Sequence, residues 1–98
     1  MIEELDERRK LLVDGLRSLE LETAEPRGAF YAFPSVAGLV DERGSAGFCE
    51  DLLEAEALAI VPGTAFGMEG HVRLAYSIGA VRVREALVRL GRFVESRR

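Results

Sequence analysis

The stretch GHVRLAYS, residues 70–77, places a guanidinium inside a segment that otherwise alternates polar and apolar side chains. Alternation of period two marks a β-strand with one covered face, so Val72, Leu74 and Tyr76 share one side, and His71, Arg73, Ala75 and Ser77 the other. Arg73 therefore points away from the core, where it meets either water or a partner. A guanidinium stays charged at any working pH and presents a planar fork of donors that fits a carboxylate bidentately, whereas an ammonium is only a point charge. Other reactive side chains are sparse, with His71, Cys49 and Lys10 each the only residue of its type. One cysteine excludes an internal disulfide and a cysteine metal cluster, and one histidine argues against a protein zinc site. Neither metal nor redox chemistry is indicated.

The elements that must position Arg73 follow from the spacing of apolar residues. Ile2, Leu5, Leu12, Leu16 and Leu19 recur at helical intervals, with Arg9 in the slot between Leu5 and Leu12. LETAEPRG breaks this period with Pro26 and Gly28, and AFYAFP reads as a short aromatic strand closed by Pro34. Residues 35–44 are expected to be a loop. A second helix is predicted over 45–56 with Phe48, Cys49, Leu52 and Leu53 inward, followed directly by the strand LAIVPG. TAFGMEG then loops to the arginine strand, and Gly63, Gly67 and Gly70 there would let backbone approach something closely. The last helix presents Val83, Leu87, Leu90 and Val94, flanked by Ala86 and Phe93. Helix, strand, helix, strand, strand, helix implies an α+β fold: a small, mostly antiparallel or mixed sheet of about three strands covered by helices.

Ninety-eight residues, 48% hydrophobic and 31% charged, suit one domain over 1–98 with a modest core. No apolar run approaches the ~20 residues of a membrane span, and the charged opening MIEELDERRK lacks the layout of a signal peptide, so a cytoplasmic location is expected. A net charge of −4 argues against general nucleic-acid binding. The last 18 residues nevertheless carry Arg82, Arg84, Arg89, Arg92, Arg97 and Arg98. They read as a solvated helix face with cations at its C-terminal end, or alternatively as a contact surface for a polyanion.

In their order and spacing, PRGAFYAFP, LAIVPGTAFG, GHVRLAYS and REALVRLGRFVES resemble the C-terminal small domain of the class I/II aminotransferases, the fold-type I pyridoxal-phosphate enzymes related to aspartate aminotransferase. The resemblance covers nearly the whole chain. It implies that Arg73 holds the α-carboxylate of an amino-acid or 2-oxo-acid substrate, positioning rather than reacting, with Tyr31, Phe66 and His71 as further substrate contacts. It implies pyridoxal phosphate in a longer parent enzyme, a homodimer in this family, whose large domain holds the cofactor and is absent from this chain. Lys10 matches no Schiff-base motif, so the chain alone is expected neither to hold the cofactor tightly nor to transaminate. A lyase, decarboxylase or regulator of the same fold, or a stand-alone interaction module, is the alternative.

Further expectations concern single positions. Phe30 and Tyr31 fall on opposite strand faces, one for the core and one for a cleft between domains. Arg9 either pairs with an acid of the large domain or snorkels to water. Many relatives carry glycine where Ala57 stands, so the second helix is expected to end without a left-handed cap, and Ser77 or Gly79 caps the third.

Overall fold

The computed structural model describes residues 2–26 and 30–98, the side chains of 2–4 excepted; Gly28, Ala29 and the Ile2 side chain, used above, lie outside them. The elements run α1 (Ile2–Ser18), β1 (Tyr31–Ala32), α2 (Gly44–Glu56), β2 (Val61–Pro62), β3 (Val72–Ala75) and α3 (Ala80–Arg97). Short 3-10 turns at Ala37–Leu39 and Gly63–Phe66 flank α2 and β2. This is the expected α+β order, with an open sheet that is wholly antiparallel in the order β1-β3-β2.

The arginine strand is thus central. Tyr31 lies opposite Ala75 and Ala32 opposite Leu74 on one side, while Val61 lies opposite Arg73 and Pro62 opposite Val72 on the other. Pro62 has no amide donor to offer a ladder, a defect tolerated because β2 is an edge. Beyond the formal ladder the β1 side continues through Tyr76 N–H to the Phe30 carbonyl (3.0 Å), Val72 N–H to Pro34 (3.1 Å) and Val36 N–H to Gly70 (2.7 Å).

The alternation of β3 is obeyed: Val72, Leu74 and Tyr76 are buried. Their covered face meets Leu12 and Leu16 of α1, Phe48 and Leu52 of α2, and Val83, Leu90 and Val94 of α3 in one cluster. Leu87 packs so closely over Gly15 that a β-carbon there would collide with it, which lets α3 approach α1. Leu53 departs from expectation and is 53% exposed. The buried stripe of α2 is Ser45, Phe48, Cys49 and Leu52, spaced i, i+3, i+4, i+7, and Leu53 falls one step round the helix from it.

Two helix ends bear on the earlier expectations. Gly79 caps α3 with φ 93°, one of the two residues foreseen. Ala57, contrary to expectation, does adopt the left-handed cap of α2 (φ 55°, ψ 34°), with its N–H on the Leu53 carbonyl. Arg89 explains why the helix ends there without glycine: its Nη1 donates to the Glu56 carbonyl at 3.2 Å and the Ala57 carbonyl at 3.3 Å, which satisfies the terminus and places a cation at its negative end. A left-handed alanine still costs about 1 kcal/mol relative to glycine. Ala57→Gly is therefore expected to raise the stability of the chain by about 0.5–1 kcal/mol in urea unfolding; an unchanged or lower midpoint would show that the cap is not strained.

Candidate substrate-binding site

β3 holds Arg73 between two paired neighbours, and the period of the strand sends its side chain to the face opposite the helical core. There the guanidinium carbon stands 4.4 Å from the centre of the Tyr31 ring and 5.6 Å from that of Phe66. Tyr31 comes from the adjacent strand, two register positions along, and Phe66 from the 3-10 turn after β2. Phe66 is itself braced edge-on by Phe33 at 5.3 Å between centroids. Aromatic faces attract a cation without supplying an acceptor oxygen. Among the described residues no carboxylate pairs with Arg73, whereas Arg9, Arg43, Arg92 and Arg97 each have one. The cation is oriented by the two rings, and among the described residues no side-chain acid occupies its donors. A cleft of about 210 Å³ opens beside it, bounded by Tyr31, Ile60, Val61, Ala75 and Ile78. An apolar-walled recess with one oriented guanidinium suits a small carboxylate bearing a carbon chain.

His71 is not brought into this group. It lines a second recess of about 480 Å³ with Glu22, Glu25, Phe33 and Met68, and Tyr31 borders both spaces. Its Nδ1 is buried and has no partner among the described residues. Phe30 does not enter the core; it is exposed and packs edge-on against Tyr76 at 6.5 Å, and Ala32 takes the buried place on β1. Arg9 finds its acids within this chain, at Asp6 and Glu25. The close backbone approach expected at Gly63 is internal as well: a β-carbon there would strike the Met68 and His71 carbonyls, so the glycine closes its own loop.

Against this geometry the comparisons with known proteins are decisive for the family. Residues 1–90 match the family described as aminotransferase class I and II. The chain belongs to that family. It is 39% identical over 97 residues to aspartate aminotransferase of Thermotoga maritima, covering 99% of this chain and 24% of that protein. Aspartate/prephenate aminotransferase of Thermus thermophilus is 42% identical over 85 residues, 87% of this chain and 21% of the relative. In structure the chain superposes on the aromatic aminotransferase of Pyrococcus horikoshii with a TM-score of 0.87 at 39% identity, covering 97% of this chain and 25% of that one. It spans about a quarter of the length of the aminotransferases it matches.

The pyridoxal cofactor that the family implies does not fit the residues present. Lys10, the one amine of a lysine, is exposed on α1 in the helical layer, away from the sheet face that carries Arg73. The basic last helix presents a solvated face, as expected, and some of its cations also find partners within the chain. Arg92 pairs with Glu56 at 2.7 Å, Arg97 pairs with Asp51 at 3.1 Å and lies over the Phe93 and Phe48 rings, and Arg98 donates to the Leu19 carbonyl. With Arg89, these cations tie the helix to the rest of the chain, while Arg82, Arg84 and Arg92 stay exposed on it. No helix among the described residues is long and apolar enough to cross a membrane.

Glu69 escaped the sequence reading. Its carboxylate accepts the Ser45 N–H at 3.0 Å and the N–H of Gly70, which holds its pKa below the usual range for glutamate. The only local sign is that α2 starts with no acidic residue in its first turn and no side-chain cap of its own.

Proposed function

We propose that the chain is the C-terminal small domain of a longer pyridoxal-phosphate aminotransferase, and that Arg73 grips the α-carboxylate of its amino-acid and 2-oxo-acid substrates. One observation carries this reading: a guanidinium without an acid partner among the described residues, set between Tyr31 and Phe66 at the mouth of a small apolar cleft. The family membership supports the reaction class, and the names of the relatives support amino acids as substrates.

The cofactor supplies the electron sink of transamination and is held by the remainder of the parent. What this chain contributes is orientation. Two parallel N–H donors on a carboxylate fix both the position and the rotation of the substrate about its carboxyl carbon, which aligns the bond to be broken at the α-carbon. Tyr31 and Phe66 keep the guanidinium from swinging toward solvent, and Ile60, Val61 and Ile78 exclude water from the substrate's flank. Movement of the small domain over bound substrate would complete the enclosure.

The test uses the full-length parent and the 98-residue chain side by side. The parent is expected to show the visible absorbance of a lysine-bound pyridoxal and to transfer an amino group from an amino acid to a 2-oxo acid; the chain alone is expected to do neither. Turnover or stoichiometric cofactor retention by the chain alone overturns the reading, as does a parent that binds the cofactor without transferring amino groups.

A further inference from the structure

The aromatic seat of Arg73 depends on a turn, and the turn is fastened from a distance. Residues 63–71 form a compact loop closed by Met68 N–H on the Gly63 carbonyl (2.8 Å), Gly63 N–H on the His71 carbonyl (2.7 Å) and His71 N–H on the Met68 carbonyl (3.0 Å). These bonds give the loop its shape but tie it only to itself and to the start of β3. Two of its residues reach the helical layer, Glu69 by its charged side chain and Thr64 by its backbone N–H. The Glu69 carboxylate accepts the Ser45 N–H with Oε1 at 3.2 Å and Oε2 at 3.0 Å, 24 residues earlier in the chain, and a β-carbon on Gly44 would occupy its place. Ser45, fully buried, returns the contact by accepting the Thr64 N–H on its Oγ at 3.4 Å.

The first turn of α2 has orphan N–H groups and a positive end, and Arg43, the residue before it, offers no capping oxygen. Glu69 provides both the acceptor and the charge. A loop thus docked can present Phe66 to the guanidinium in one position instead of several.

We propose that Glu69 is a positioning residue for substrate carboxylate recognition: by capping α2 from the β2–β3 loop, it fixes Phe66 against Arg73 and so holds the guanidinium ready for its ligand. The inference rests on the carboxylate-binding reading of Arg73. It predicts an effect confined to substrate binding and transmitted through Phe66, which loss of a helix cap by itself would not produce.

The experiment is a double-mutant cycle in the full-length parent. Glu69→Gln removes the charge and one of the two acceptor oxygens while keeping the side-chain size. It is expected to raise KM for the amino acid by about fivefold with kcat within about twofold and cofactor absorbance unchanged. In a Phe66→Ala background the same substitution is expected to change KM by less than about twofold, although the unfolding midpoint falls equally in both backgrounds. Equal KM effects with and without Phe66, or no KM effect at all, overturn the positioning role. Arg73→Lys measured in parallel separates the two failures: if it leaves kcat/KM intact, the reading of Arg73 has failed, and if it impairs kcat/KM while the cycle is additive, only the role of Glu69 has. Should Glu69→Gln not fold, Glu69→Asp, which keeps the charge but shortens the reach by one carbon, enters the same cycle with the same criteria.

Discussion

Arg73→Lys in the full-length parent is expected to lower kcat/KM for amino-acid and 2-oxo-acid substrates by about a hundredfold while leaving the bound cofactor and its absorbance unchanged. Lysine keeps the positive charge but loses the planar fork, so one of two charge-assisted hydrogen bonds disappears, at about 1.5–3 kcal/mol. At about 1.4 kcal/mol per tenfold, that is one to two powers of ten. An ammonium also has no planar face to set against the Tyr31 and Phe66 rings, whose centres stand 4.4 and 5.6 Å from the guanidinium carbon, and this adds freedom to the carboxylate that remains. Both half-reactions should suffer alike, because amino acid and oxo acid share the carboxylate. Steady-state kinetics with saturating cofactor reads the effect directly. Wild-type efficiency in the lysine variant would show that Arg73 does not hold substrate.

The second large effect is on stability. Phe48 is fully buried in the cluster shared by all three helices, stands edge-on to Phe93 at 5.2 Å and carries the Arg97 guanidinium 5.7 Å above its ring. Phe48→Ala opens a cavity at that junction and is expected to cost about 3–5 kcal/mol. For a chain of this size that is a large share of the total, which lies at about 5–15 kcal/mol for folded domains. Leu53→Ala, five residues further on the same helix but exposed, should stay within about 0.5 kcal/mol. Urea unfolding of the three proteins, followed by circular dichroism, gives the contrast. A loss below 1 kcal/mol at Phe48 would contradict the packing described here.

What the sequence revealed and what it hid follow one physical division. Arg73 and its strand were legible because a half-covered strand writes its two faces into consecutive residues, and Val72, Leu74 and Tyr76 obey that pattern. The stripes of α1 and α3 were legible for the same reason at a longer period. Leu53 misled because four apolar residues in a short helix admit more than one stripe, and only the sheet decides which is covered. Phe30 misled because alternation counts faces but not the end of the covered area. The left-handed Ala57 depends on Arg89, 32 residues away, and the cap of α2 on Glu69, 24 residues away. No local propensity reports such partners. The aromatic seat was half visible: Tyr31 and Phe66 were named as candidates, but not that both bear on one guanidinium.

The order β1-β3-β2, with α1 packed on α3, has a bearing on how the chain acquires its structure. Both edge strands are made before the strand that each must pair with: Tyr31 waits for Ala75, and the face of α1 at Gly15 waits for Leu87. The β1–β3 ladder and the α1–α3 contact are therefore long-range in sequence, and closing those loops costs entropy before the ladder or the helix pair repays it. Assembly should be late and concerted, with the scaffold beneath Arg73 appearing only once the final helix can fold back over the first.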